Sequence, residues 1–266
     1  MKKTLIASAI AAATISSMAF AEGNLPTVYG NIQLAYGHTD CDSGSAALCE
    51  DANGNPVNEQ TTNNFFDNGS TLGVKHEHEI APGITGFLKA EMEFNADDKD
   101  TSGGLERLDE AYIGVKGGFG SVLIGSEDTV YEWADMIDFT EIGNYAGEIA
   151  KDEEGDQLQY VSPGLGPVKI GLSLPLTNET RYSGQLAGMF SNDMLEAALA
   201  YSMGKEQSGT DYGDAIGLAA KVKLNMFSII GQYETRGADS VGGADVNSTE
   251  LDLWALGAMA SLGKSQ

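Results

Sequence analysis

An acidic run in the first half of the chain has the oxygen spacing of a calcium-binding loop. Oxygen-bearing side chains recur at the first, third, fifth, ninth and twelfth positions of a twelve-residue stretch, with Gly103 at the sixth. The residues that supply these oxygens are Asp98, Asp100, Ser102, Glu106 and Asp109. The flanking residues have the periodicity of strands rather than helices, and the twelfth residue is aspartate where calcium loops have glutamate. An ordinary acidic loop satisfies the same pattern, so calcium binding stays an open alternative.

The histidines do not form a recognisable catalytic or metal site. His76 and His78 are two residues apart, so a strand would place both imidazoles on one face. Two histidines are fewer than a complete zinc site requires. His38 has no accompanying nucleophile and acid, and the chain lacks a Gly-x-Ser-x-Gly sequence. The sequence therefore predicts no enzyme activity, no cofactor and no metal ion with these histidines.

The elements that carry these residues are strands. In the run 167–176, Val168, Ile170 and Leu172 share one face, while Lys169 and Gly171 fall on the other. About twelve such runs predict an all-β fold with antiparallel up-and-down strands. They lie near 27–38, 69–81, 84–96, 106–117, 119–127, 156–163, 167–176, 182–190, 193–203, 213–224, 226–236 and 249–263.

The connections between the runs alternate in length. Tight turns are predicted at 81–83, 117–119, 163–166, 191–193 and around Asn225. Longer polar connections lie near 39–68, 97–105, 128–155, 177–181, 204–212 and 237–248. Because alternate turns of an up-and-down sheet lie on the same rim, one rim is tight and the other looped. This sorting is typical of transmembrane barrels.

The first 21 residues have the pattern of a secretory signal peptide. Lys2 and Lys3 precede an apolar stretch over 4–14, and Ala19-Phe20-Ala21 is a small-x-small cleavage site. Export favours a disulfide between Cys41 and Cys49, the two cysteines of the chain. The formal net charge of −24 would repel nucleic acid and attract cations. The mature chain, 22–266, is therefore predicted to be one exported acidic domain.

Five runs of the chain carry a family resemblance: 27–34 (TVYGNIQL), 70–75 (STLGVK), 83–94, 111–125 (AYIGVKGGFGSVLIG) and 156–163 (DQLQYVSP). They resemble the general Gram-negative trimeric porins of the outer membrane. The resemblance implies a transmembrane barrel of sixteen strands, of which about twelve are present here. It also implies passive diffusion of small hydrophilic solutes and cations through a water-filled pore, in a homotrimer that contacts outer-membrane lipid and lipopolysaccharide. The alternative is a secreted soluble β-sandwich or adhesin.

The resemblance implies that the third long loop, 128–155, folds into the pore and constricts it. Its acidic side chains include Asp128, Glu132, Asp135, Asp138, Glu141 and Glu148. The implied pore-wall residues are Tyr29, Asn31, Gln33, Lys75, Lys89, Glu91, Arg107 and Asp109. The family faces this loop with wall arginines, where this chain has Thr71, Asp109, Leu123 and Ser126. Carboxylates that are not offset by wall arginines predict a preference for cations.

Two features of the sequence depart from the resemblance. The family pattern directs Asp109 into the pore, whereas the apolar phase of Ala111 and Ile113 directs Glu110 inward instead. A bulge would reconcile the two assignments. The sequence also ends at Gln266 without the closing aromatic strand of such barrels. We expect a C-terminally truncated sequence, and a smaller barrel closed on itself is the alternative.

Overall fold

The structure is a computed structural model, and it is almost entirely antiparallel β-structure. It describes residues 9–13, 25–41, 60–67, 69–97, 105–137, 154–176, 184–204, 206–207, 210–211, 213–237, 239–241, 244–247 and 251–260. Within these ranges, no helix has the length and apolar character needed to cross a membrane.

The largest sheet has twelve strands. They are β2 (Thr27–Gly30), β5 (Thr71–Ala81), β6 (Ile84–Phe94), β7 (Leu105–Gly117), β8 (Gly120–Asp128), β9 (Glu154–Val161), β10 (Val168–Pro175), β11 (Gln185–Ser191), β12 (Leu195–Ser202), β15 (Ala215–Leu224), β16 (Phe227–Arg236) and β19 (Leu251–Ala260). Their order in the sheet is β19-β16-β15-β12-β11-β10-β9-β8-β7-β6-β5-β2. Neighbours in this sheet are consecutive or nearly consecutive in sequence, as the up-and-down prediction requires.

Two smaller sheets complete the described structure. β1 (Ala9–Ala13), β3 (Ile32–Cys41) and β4 (Gln60–Asp67) form one in the order β1-β3-β4. β13 (Glu206–Gln207), β14 (Thr210–Asp211), β17 (Asp239–Val241) and β18 (Ala244–Asn247) form the other. A 3₁₀ helix, Val130–Ala134, follows β8. The chain divides into two compact units, the first comprising 1–19, 28–73 and 92–108, and the second 20–27, 74–91 and 109–266.

The long connections contain strands that the sequence did not predict. β4 lies in the predicted loop 39–68, and the four short strands lie in the predicted loops 204–212 and 237–248. The predicted first strand, 27–38, is divided at Asn31 into β2 and β3. These segments have little apolar alternation, and β4 is held by backbone pairing to β3, from Leu34 opposite Asp67 to Cys41 opposite Gln60. Alternation of apolar side chains therefore could not reveal them.

The turn after β15 shows why two residues suffice at a tight connection. Leu224 pairs with Phe227, so only Asn225 and Met226 lie between the strands. Asn225 has φ 59°, in the left-handed region that asparagine tolerates better than most residues. Gly83, after β5, has φ 74°. The tight turns are therefore built from residues suited to that conformation.

The two faces of the large sheet differ in character. Along β10, Ile170, Leu172 and Leu174 are exposed, whereas Gly171 and Ser173 are buried. The same apolar face carries Ile113, Leu199 and Trp254, with relative exposures of 62%, 58% and 78%. So extensive an exposed apolar surface requires an apolar surrounding. The opposite face, which we call the polar face, carries the buried glutamines, serines and ion pairs.

A close contact on the polar face gives a stability prediction. A Cβ atom at Gly114 would lie 2.4 Å from Cζ of Phe87 and 2.5 Å from the carbonyl oxygen of Val122. We expect Gly114→Ala to lower the free energy of unfolding by about 1–3 kcal/mol, because the β8 backbone must move. Urea unfolding in detergent micelles would measure it. Gly231→Ala is the control, since nothing lies within 4 Å of its added methyl group; equal losses in the two variants would contradict the prediction.

Candidate functional site

A short helix packs on the polar face of the second unit. Val130, Tyr131 and Ala134, on one side of the 3₁₀ helix, are almost completely buried. Under them lies a row of directly paired positions on four adjacent strands, which we call the small-residue row. Its members are Gly171, Ala187, Ala200 and Gly217. These residues have little or no side chain, so the helix can approach the sheet closely.

The glycines at the ends of this row leave no spare room. A Cβ atom at Gly171 would lie 2.5 Å from Cγ1 of Val130 and 2.7 Å from Cη2 of Trp133. A Cβ atom at Gly217 would lie 2.8 Å from Cβ of Ala134. Contacts between carbon atoms are favourable at about 3.5–4.0 Å. The absence of a side chain at Gly171 and Gly217 therefore determines where the helix lies.

Polar side chains of the sheet hold the segment that leads into the helix. The backbone N–H of Val130 donates to Oγ of Ser173 over 3.0 Å. Nε2 of Gln159 donates to the carbonyl oxygen of Asp128 over 2.8 Å, and Nε2 of Gln157 donates to that of Glu127. The Ser173, Gln157 and Gln159 side chains are buried, and the bond to Ser173 is itself buried, whereas the two glutamine bonds are partly buried. The chain is thus fixed to the sheet from the end of β8 into the helix.

A group of charged residues lies on the polar face of β6 and β7. Nζ of Lys89 is 3.4 Å from Oε1 of Glu91 and also forms an ion pair with Glu110. Asp109 joins them, because one oxygen from each of Glu91, Asp109 and Glu110 lies within 4.8 Å of the others. We call these four residues the acidic cluster. It combines three carboxylates with one ammonium group, so its net charge is negative.

Other basic side chains of the described strands also pair with carboxylates. In the second unit, Nζ of Lys116 is 2.6 Å from Glu77, and Lys221 and Lys223 both pair with Glu196 at 3.6 and 2.5 Å. In the first unit, Arg107 is 2.6 Å from Glu93. Lys116 and Arg107 are therefore each balanced by one glutamate, whereas Lys221 and Lys223 share the single carboxylate of Glu196.

The predicted loop residues are only partly described. Asp128 ends β8, Glu132 lies in the 3₁₀ helix, and Asp135 follows it. Glu132 and Asp135 are half-buried, and Asp128 is exposed. Asp138, Glu141 and Glu148 lie outside the described residues. The described segment 128–137 therefore lies against the sheet, and a constriction of the pore by the loop 128–155 stays a prediction.

The predicted wall residues of the first unit contact neighbouring chain segments. Oδ1 of Asn31 accepts the backbone N–H of Thr71 at 2.8 Å, and Nε2 of Gln33 donates to the Gly69 carbonyl at 3.2 Å. The ring of Tyr29 covers Gly73, whose Cβ would lie 2.5 Å from it. Tyr29, Asn31 and Gln33 thus make structural contacts within this unit.

The conflict over β7 has a structural answer. Ile113 and Val115 are exposed on the apolar face, while Glu110 pairs with Lys89 and Tyr112 contacts the ring of Phe87 edge-on. The apolar phase therefore gives the facing of β7 from Glu110 onward. Asp109 still brings a carboxylate oxygen to the same cluster. Lys75 is exposed on β5.

The remaining predicted sites are less fully covered. Asp98, Asp100 and Ser102 lie outside the described residues, as does the Glu106 side chain. Calcium binding by that run therefore stays an open alternative to an ordinary acidic loop. The Cys41–Cys49 disulfide stays a prediction, since Cys49 is not described, and so does the signal peptide, which includes β1. The rings of His76 and His78 stack, with centroids 6.3 Å apart and planes at 10°.

Sequence reasoning missed the residues that hold the helix. The small-residue row and the anchors Ser173, Gln157 and Gln159 were not singled out as functional positions. Alternation places Gln157 and Gln159 together on the polar face, and that signal was available in the sequence. The backbone groups that they bind are determined by the tertiary fold, so the sequence alone did not reveal them.

Comparisons with known proteins agree with this architecture. A family model described as Gram-negative porin matches residues 7–266. A monosaccharide porin from a Halomonas species is 30% identical over 99% of this chain and 77% of its own length. The major outer membrane protein P.IB of Neisseria meningitidis serogroup B is 24% identical over 77% of this chain and 56% of its own.

Solved structures show the same fold at lower identity. The anion-selective porin from Comamonas acidovorans superposes with a TM-score of 0.67 at 17% identity, covering 91% of this chain and 75% of that chain. Salmonella typhi OmpF in complex with daunomycin gives a TM-score of 0.58 at 17% identity, covering 82% and 67%. At such identities the likeness concerns the fold alone: an antiparallel β-barrel.

Proposed function

Because the chain belongs to the Gram-negative porin family, we propose that its water-filled pore lets small hydrophilic solutes diffuse passively and prefers cations. As a family member it is an outer-membrane β-barrel protein, and the family is one of channels rather than enzymes. Membrane lipid is then the apolar surrounding that the exposed face of the sheet requires. The alternative of a secreted soluble β-sandwich or adhesin is not favoured, because it would leave that face in water.

The acidic cluster is the observation that carries the proposed cation preference. Lys89 is the basic member of the cluster, and two of the three carboxylates contact its ammonium group. On the same polar face, Lys116 is paired with Glu77, whereas Lys221 and Lys223 share Glu196 and so keep one positive charge between them. Fixed charges within a few ångströms of a permeating ion dominate its energy, because screening by salt acts over about 8–10 Å. A lumen with excess carboxylate concentrates cations.

We propose monosaccharides as one class of permeating solute, because a relative covered over most of its length carries the name monosaccharide porin. Neutral sugars are compatible with a cation-preferring pore, since fixed carboxylates neither attract nor repel them strongly. We also propose a homotrimer in contact with outer-membrane lipid and lipopolysaccharide; one structural neighbour is described as a trimer. Chemical cross-linking in mild detergent tests this assembly, and monomers alone would contradict it.

The cation preference is tested by reversal potentials of the refolded protein in planar bilayers under a tenfold KCl gradient. We expect a potential of the sign that indicates K⁺ permeating faster than Cl⁻, because the lumen carries excess carboxylate. The size of the shift should decrease as ionic strength rises, since salt screens fixed charge. Tetraethylammonium chloride is a control for ion size. A potential of the opposite sign would refute the preference while leaving porin function intact.

A further inference from the structure

Two residues of β16 bind both sides of the 3₁₀ helix. Gln232 and Glu234 face the helix from the polar side of the strand, and both are buried. Oε1 of Gln232 accepts the backbone N–H groups of Met136 and Ile137, at 3.0 and 3.1 Å. One side-chain oxygen therefore fixes two successive residues just beyond the end of the helix.

The same two side chains also reach back to the helix itself. Nε2 of Gln232 donates to Oε1 of Glu234 over 2.7 Å. Oη of Tyr131 donates to Oε2 of Glu234 over 3.2 Å, although the two residues are 103 positions apart in sequence. The bonds form one continuous chain from Ile137 through Gln232 and Glu234 to Tyr131. We call Gln232 and Glu234 the clasp.

We propose that the clasp is the positioning device that fixes the carboxylates of Glu132 and Asp135 at the pore constriction and thereby sets ion selectivity. The proposal rests on the porin function proposed above. Glu132 and Asp135 lie between the two points that the clasp binds, Tyr131 on one side and Met136 with Ile137 on the other. Their backbone therefore cannot move away from the sheet without breaking hydrogen bonds that are buried at Tyr131 and partly buried at Met136 and Ile137.

The chemistry of position 232 is specific. The reach to both backbone N–H groups and to Glu234 requires an acceptor and a donor on one side chain, which an amide provides. Glutamate at this position would keep the acceptor but place a second carboxylate against Glu234. Leucine has a similar volume but would leave two partly buried N–H groups without this partner. Gln232→Leu is therefore the stringent variant, and Tyr131→Phe is the mild one because it removes a single hydroxyl group.

The experiment compares Gln232→Leu, Tyr131→Phe and the double variant by reversal potential and single-channel recording in planar bilayers. We expect Gln232→Leu to lower the cation-to-anion permeability ratio at least about twofold and to increase open-channel current noise. Tyr131→Phe should have a smaller effect in the same direction. Because both act through one hydrogen-bond chain, the double variant should lose less than the product of the two single effects.

Matched controls separate positioning from folding. Tyr233→Phe removes a hydroxyl group from the opposite face of the same strand, where it donates to Asp252 over 2.8 Å. Ser228→Ala alters the clasp face of β16 at its other end. Tyr233→Phe and Ser228→Ala should both keep the wild-type cation-to-anion permeability ratio. Unchanged selectivity in Gln232→Leu, or exact multiplicativity in the double variant, would overturn the clasp. Wild-type protein that forms no channels would overturn the proposed function instead.

Discussion

Gly171→Leu is expected to lower the single-channel conductance to about half or less, because it wedges the 3₁₀ helix away from the sheet toward the lumen. The first added carbon already comes within 2.5 Å of Val130 and 2.7 Å of Trp133. The sheet is held by a continuous hydrogen-bond ladder, in which Gly171 pairs with Val161 and Ala187. The helix has five residues, and a few hydrogen bonds join its segment to the sheet, so it moves more easily than the continuous ladder. Single-channel recording in symmetric KCl measures the effect.

Gly188→Leu is the matched control for this prediction. Gly188 lies on the adjacent strand, pairs with Ile170, and has nothing within 4 Å of an added Cβ. The leucine would project from the apolar face, so conductance should stay at the wild-type value. Heat-modifiable migration in detergent gels would verify that both variants fold. Wild-type conductance in folded Gly171→Leu would mean that the helix does not border the conducting path.

Changes in the acidic cluster are expected to shift selectivity in opposite directions. Replacing both Glu91 and Glu110 with glutamine leaves Lys89 with Asp109 alone, so the cluster loses its negative charge. Lys89→Gln leaves three carboxylates and no ammonium group. At about 5 Å in water one unit charge changes an ion's energy by about 0.8 kcal/mol, a factor of about four in local concentration. We expect the first variant to lower the cation-to-anion permeability ratio severalfold and the second to raise it.

Reversal potentials under a salt gradient measure both changes in one assay. Glu196→Gln is a useful comparison, because it leaves two lysines, Lys221 and Lys223, without their shared partner elsewhere on the polar face. Its effect indicates how much of the selectivity arises outside the acidic cluster. Equal ratios for Lys89→Gln and for the Glu91→Gln/Glu110→Gln variant would show that the cluster is remote from the ion path.

The sequence predicted the large sheet well because alternation is a local signal. A strand such as β10 shows its two faces within eight residues, and the tight turns are marked by Gly83 and Asn225. β4 was missed for the opposite reason. Its residues Gln60–Asp67 are mostly polar, and its pairing with β3 spans a long connection. Strands that lack an apolar face carry no period that a sequence can reveal.

The candidate site was predictable only in its charge. The acidic character of the segment beginning at Asp128 is visible in the sequence, and Glu132 and Asp135 were named from it. The supports of that segment come from distant strands: Ser173 is 43 residues from Val130, and Gln232 is 96 from Met136. Their roles depend on which strands close against the helix, so tertiary structure alone identifies them.

We expect the small-residue row to set the width of the proposed pore, because it determines how closely the 3₁₀ helix approaches the sheet. The helix packs against residues with little or no side chain. A larger residue in the sheet, matched by a smaller one in the helix, should therefore leave the position of the helix unchanged. A larger residue in the sheet alone should displace the helix by an amount that grows with the added volume. Replacing Gly217 with alanine, valine or leucine, with or without Ala134→Gly, should then give a series of pores of graded width in one protein. Such substitutions would change the size limit for permeating solutes without changing any charged residue.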